Sequence, residues 1–244
     1  MSGFFTKGYR PFWTAFLLSL LVLGSALAVC CAMVFSAMEE QPVDTAPTVP
    51  VGVGNSCNLL LIGCREKNQE PQRVVLLRFD QMDQKAHIQN IDLTQTATVR
   101  LYTDTLLGQY RYGGPDQLVQ AAQGVLGTTL DGWVRIDETG LCKIAQQFPL
   151  AEISLPQEVI TGRYRFPAGL SVADAPRQAD LFFSSETGGA LQLVQIQLEQ
   201  VLQMNLQDAG SLLFSCTDTN LSAYDLERNR SLFSSITQVV RDGS

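Results

Sequence analysis

Histidine occurs once in the 244 residues, at His87. That scarcity excludes a zinc site built on imidazoles. It also leaves a Ser-His-Asp or Cys-His triad no other base to use. His87 lies in KAHIQNID, whose alternation marks it as an ordinary strand residue. The 6 cysteines include no CxxC pair. Cys57 and Cys64 bracket NLLLIG and, on a strand, stand too far apart to bridge each other. Spacing leaves Cys142 and Cys216 open as partners for either, and free buried thiols are the simpler expectation. Asp80, Asp83 and Asp92 follow no metal-ligand spacing. There is no internal repeat and no long run of charge. Bases are outnumbered, 17 against 24 acids, and two of them, Lys7 and Arg10, precede the first long apolar run, leaving 15 bases among the acids beyond it. Such a surface repels phosphate backbones, which argues against nucleic acid as a partner, and it offers no polybasic grip on anionic lipid.

The longest uncharged stretch runs from Pro11 to Met38. It exceeds the roughly 20 apolar residues a helix needs to cross a bilayer. It is also longer than the roughly 7–15 residue apolar core of a cleaved leader. Phe12 and Trp13 suit the interface at its start, and the positive flank is expected to stay in the cytoplasm. A lipoprotein site at Cys30 is disfavoured by the bulky Val29 before it. The expected organisation is a cytoplasmic tail over 1–10, a transmembrane helix over 11–38, a Pro/Thr/Gly-rich linker over 39–54 and an extracellular domain over 55–244. The chain would thus be a single-pass protein of the cell membrane.

Within the domain, CNLLLIG reads as a buried strand, and QRVVLLRFD and KAHIQNIDL as a hairpin turning at Asp83-Gln84. ATVRLY either continues that sheet or leads out of it. The turn signal Tyr112-Gly113-Gly114-Pro115 opens a helix through Leu126. DGWVRID predicts a strand and TGLCKIAQQF a helix. AEISL and EVITG are short extended segments, and PRQADLFFSS predicts a helix. GGALQLVQIQLEQVLQMNL carries the clearest amphipathic stripe: Leu191, Val194, Leu198, Val201 and Leu202. DAGSLLFSC and SAYDLERNRSLFSSITQVVRD are read as further helices. Helix-start chemistry accounts for Asn220, and Phe182, Phe183 and Phe214 are read as core. The alternation predicts a three-layer α/β/α domain.

These landmarks, in this order, resemble the LytR-CpsA-Psr domain of Gram-positive bacteria. The resemblance rests on Asn58-Leu59-Leu60-Leu61-Ile62-Gly63, the VVLLRFDQMDQKAHIQNID hairpin, Tyr112-Gly113-Gly114 before an apolar helix, and LDGWVRIDETGLCKIAQQF. Phe166-Pro167-Ala168-Gly169, Gln178-Ala179, and Thr219-Asn220-Leu221-Ser222 with Asp225-Leu226 complete it, over about 55–241. It implies an α/β/α fold around a central mixed sheet, and a family that transfers glycopolymers from polyprenyl pyrophosphate to the cell wall. That phosphoryl transfer uses arginines against the pyrophosphate, acids on magnesium, and an apolar pocket for the lipid.

The chain departs from the family where that chemistry resides. Arg65 stands where the family has an acid and Lys67 where it has a base. Arg73, in Gln72-Arg73-Val74, replaces the family's metal-side Asp. Leu93 and Thr94 stand where an arginine and an acid are usual. Ser184 and Glu186, followed by Thr187-Gly188-Gly189-Ala190, occupy the later arginine run. Each lost charge-assisted phosphate contact forfeits about 1.5–3 kcal/mol. The resemblance therefore implies a catalytically degenerate member, without a cofactor or bound metal, that binds polyprenyl-linked glycan, a wall polymer or an active homologue. Phe182 and Phe183 are candidates to line its lipid pocket. One alternative is an active transferase with magnesium and relocated cations at Arg100, Arg163, Arg165 and Arg177. Another is a purely structural partner protein. For Arg65 and Arg73 the plainer reading is pairing with Glu66, Glu70 or Asp80.

Overall fold

A computed structural model describes residues 55–242 other than residue 68. The expected anchor and linker lie outside the described residues, and among those described no helix is long and apolar enough to cross a membrane. Strand β1 (Ser56–Cys64) is the centre of a six-stranded sheet. Antiparallel β2 (Pro71–Asp80) and β3 (Lys85–Ile91) lie on one side of it. Parallel β6 (Gly132–Ile136) lies on the other. The β2–β3 turn is held by the Asp80 carboxylate, which accepts from the Met82 amide at 2.8 Å, with Gln84 in the left-handed region at φ 55°.

Both faces of β1 are covered, which is why it reads as a continuous apolar run rather than an alternation. Leu60, Ile62 and Cys64 face one core with Leu106, Leu118 and Ala122 of α1 (Leu106–Leu126). Cys57 and Leu59 face the other, with Phe182, Leu193 and Leu232. That second layer comprises α2 (Glu138–Ala145), α3 (Ala175–Phe182), α4 (Thr187–Leu202), α5 (Leu206–Cys216), α6 (Ala223–Arg228) and α7 (Arg230–Ser235). The arrangement is helix, mixed sheet, helix.

Several elements differ from the sequence reading. The ATVRLY segment leaves the central sheet as a separate hairpin, β4 (Thr96–Val99) and β5 (Tyr102–Thr105), reversing at Arg100 with φ 57°. Helix α1 starts at Leu106, capped by Thr105, nine residues before Pro115. Gly113 and Gly114 (φ 69°) break its helical geometry, so the turn signal is a kink inside a longer helix. Beyond α2, β7 (Ala151–Leu155) pairs with an unforeseen β10 (Gly169–Ala173), and β8 (Val159–Ile160) with β9 (Arg165–Phe166). The helix read through Ser184-Ser185 stops at Phe182. The segment read as one last helix divides into α6, α7 and the edge strand β12 (Gln238–Arg241), parallel to β3. The other edge is β11 (Thr217–Thr219), antiparallel to β6. Asn220 caps no helix: its side-chain oxygen Oδ1 accepts from the Trp133 amide at 2.8 Å, and Ser222 with Asp225 forms the capping box of α6. Phe214 is 40% exposed rather than core. The four described cysteines, Cys57, Cys64, Cys142 and Cys216, are free thiols.

Candidate functional site

Between the sheet and the α4–α5 pair lies an apolar cavity of about 530 Å³. Leu59, Leu77 and Val134 form its floor, and Val194, Leu198, Val201 and Leu202 form part of its roof. The last four belong to the stripe of α4, which explains why so apolar a helix does not bury its whole face. Phe182 closes the end beside Gly63, where a Cβ would stand 2.5 Å from its ring. At the other end Phe233 meets Phe79 edge-on, centroids 5.0 Å apart. Phe79 pairs with Cys57 across the ladder. From Cys57 to Gly63 is roughly 20 Å along a strand, so the slot is elongated.

One polar group in this slot has no partner. The Ala173 carbonyl can only accept, so Gln178 turns its amide nitrogen there, at 2.9 Å. Its oxygen then accepts from the Gln197 side-chain nitrogen at 2.6 Å. The Gln197 oxygen is left buried without a hydrogen bond, at the wall of the slot.

The basic positions singled out by sequence fall into separate settings. Arg73 is 5% exposed and donates to the carbonyls of Phe182 (2.8 Å), Ser184 (2.7 Å) and Glu186 (3.0 Å), and to the Asn90 side chain (3.3 Å). It staples the α3–α4 connection to the sheet and, among the described residues, pairs with no carboxylate. Burial draws its pKa below the usual value, against the opposing Glu186 charge. Ser184 bonds back to the Leu181 carbonyl at 2.7 Å, and Glu186 caps α4 through the amides of Gly188 and Gly189.

Arg65 and Arg163 converge on Asp180, at 3.7 Å and 3.1 Å. Arg163 also reaches Glu138 at 2.6 Å. The Asp180 side chain is fully buried. Burial pushes its pKa up, but the Thr161 hydroxyl and Arg163 outweigh that, and the net shift is downward. Two cations and two anions thus cancel. Arg165 pairs with Glu158 at 2.8 Å, and Arg177 lies over the Tyr164 ring at 5.6 Å. Arg100 sits at the tip of the β4–β5 hairpin, in the α1 layer. Leu93 packs against the α1-side core, and Thr94 donates to Asp92. Phe182 lines the slot, while Phe183 is buried edge-on to it with Arg65 above its ring. Glu70, a candidate partner for these arginines, pairs with Arg111 instead, at 2.7 Å.

A second, polar cavity of about 290 Å³ opens where β1, β6 and β11 meet α2 and α5. Lys67, Arg135, Lys143, Asp137 and Asp218 line it, and Thr217 lines both cavities. Of these only Lys67 was singled out by sequence. The signal for Arg135 was present, since it is the lone charge in the middle of the strand GWVRI. Among the described residues no three His, Cys, Asp or Glu side chains come together as a metal site.

No family model matches the sequence. No curated protein matches it either. Solved structures do. A transcriptional regulator from Enterococcus faecalis superimposes with a TM-score of 0.64 at 15% identity, over 77% of this chain and 75% of that one. TagV of B. subtilis gives 0.60 at 12% identity, over 77% and 84%. TagT, in a structure bound to LI-WTA, gives 0.60 at 15% identity, over 77% and 78%. TagT and TagV are LytR-CpsA-Psr proteins, and at these identities the likeness establishes the fold, which is LytR-CpsA-Psr-like.

Proposed function

We propose that this chain is a membrane-anchored, extracellular LytR-CpsA-Psr-like protein of the cell envelope that holds the apolar tail of a polyprenyl-linked glycan and does not transfer it. The observation that carries this reading is the pairing of an open apolar slot with neutralised arginines at the positions where the resemblance puts the catalytic charges. The slot persists along β1. Arg65 and Arg163 are consumed by Asp180 and Glu138, and Arg73 by backbone carbonyls. A guanidinium already paired has little left to offer a transition state that lives on charge stabilisation. The magnesium ion that the resemblance implies does not fit either. Arg65 and Arg73 stand where its acids would be, and no ligand cluster forms among the described residues. The uncharged stretch from Pro11 to Met38 supports the anchor.

The test is to extract the full chain from membranes and identify its co-purified lipid by mass spectrometry, beside a Leu198→Trp, Val201→Trp variant that fills the slot. Polyprenyl-linked glycan is expected with the parent and absent from the variant. Recovery of no such lipid sinks the binding reading. Magnesium-dependent transfer of a pyrophosphate-linked glycan, lost on Arg163→Ala with Arg165→Ala, would restore the enzyme.

A further inference from the structure

The polar cavity holds three cations against two carboxylates, unlike the balanced Arg65–Asp180–Arg163–Glu138 cluster. Asp218 is shared, 2.6 Å from Arg135 and 3.4 Å from Lys67. Asp137 is occupied by the Gly140 amide at 2.7 Å, as the cap of α2. Lys143, exposed in the last turn of α2, has no ion-pair partner among the described residues. Lys67 spends one of its donors, and an ammonium has three. Spare donor capacity and a net positive charge thus gather here and not at the arginine cluster. The cavity is concave and polar, and low-dielectric walls focus the field of such a group of charges.

We propose that this cavity is a binding site for a phosphate or diphosphate group, held by Lys67 and Lys143 with Arg135 behind them. Arg135 is fixed from below by Asp218 and, at 3.5 Å, by the Tyr110 hydroxyl. The site differs from the places where the resemblance put the phosphate contacts, since only Lys67 is common to both. Because Thr217 lines both cavities, a phosphate here is adjacent to a tail in the slot. The anion site itself stands without the lipid reading, and only the source of the phosphate depends on it.

The experiment uses the full chain in neutral phosphatidylcholine nanodiscs and three probes: inorganic pyrophosphate, geranylgeranyl diphosphate and geranylgeraniol. Lys67→Ala with Lys143→Ala is the variant, and Arg78→Ala, whose side chain pairs with Asp242 and lines neither cavity, is the control. Losing two charged contacts should weaken pyrophosphate binding by about ten-fold or more, and added salt should weaken it in the parent. The control and the geranylgeraniol affinity should not move. An unchanged thermal midpoint in the double variant shows that the loss is one of binding. Geranylgeranyl diphosphate binding well above inorganic pyrophosphate, with the excess lost in Val201→Trp, supports the site and identifies the phosphate as a lipid head. Equal binding supports the site with a free phosphate or phosphodiester. Diphosphates that bind the double variant as they bind the parent, or do not bind at all, overturn the site. If geranylgeraniol still binds in that case, the lipid reading stands alone. Pyrophosphate binding without geranylgeraniol binding leaves the site and sinks the lipid reading.

Discussion

At the residue scale, Arg73 shows how a charge can be legible in sequence while its task is not. It appears as a base in a strand, and all three acids offered as partners lie within seven positions. The carbonyls it serves lie more than a hundred residues away. Long-range pairing of a side chain with backbone leaves no spacing signal. Arg73→Met strands three carbonyls, and urea unfolding should show a loss of about 2–4 kcal/mol. Asp180 is the second case. Its carboxyl sits below the ordinary 3.8 in the folded chain, so its stabilising contribution is present above that value and disappears as pH falls through the lowered one. Asp180→Asn should lower the urea midpoint at neutral pH. It should also flatten the loss of stability below about pH 4, where the parent has to protonate this group. An acid limb of equal steepness in both proteins would show that Asp180 is not the group responsible. Gln178 and Gln197, nineteen residues apart, were likewise unreadable as a pair.

At the element scale the sequence carried more. The strands β1, β2, β3 and β6, and the helices α2, α4 and α5, follow from apolar period and caps. The errors have physical causes. Helix α1 begins early because Thr105 caps it, although Gly113-Gly114-Pro115 reads as a start. Strand β12 was absorbed into a helix because only Val239 of its four residues is buried, which leaves no alternation to count. Helix α2 leans directly on the end of α5: a Cβ on Gly140 would lie 2.0 Å from the Cys216 carbonyl oxygen. Gly140→Ala should therefore force the helices apart and cost about 1–3 kcal/mol in chemical denaturation. Gly124, exposed in α1 with open space where its Cβ would go, is the contrast. Gly124→Ala should raise stability by about 0.5–1 kcal/mol through helix propensity and chain entropy.

At the scale of the whole molecule, an apolar slot next to a packed core forgoes contacts that a filled core would make. Ala209→Phe, placed in the lining of the slot, should raise the thermal midpoint if the ring fills it, by about 0.5–2 kcal/mol of added stability. The same change should exclude a prenyl probe. A falling midpoint would mean the slot is narrower than its volume suggests.

Both rims of the sheet come from chain that follows Cys216: β11 borders β6, and β12 borders β3. During synthesis the four middle strands can pair while each outermost strand still presents a row of unsatisfied amides and carbonyls. Sealing β3 brings together residues some 150 positions apart, as Val239 and Ala86 are, so that step must wait for a distant part of the polypeptide and is slow for its topology. A nascent or proteolysed fragment ending near Cys216 would be bordered by the five-residue β6 and the seven-residue β3 and would be the more prone to self-associate edge to edge, whereas the product reaching through β12 is bordered by shorter strands, β11 of three residues and β12 of four.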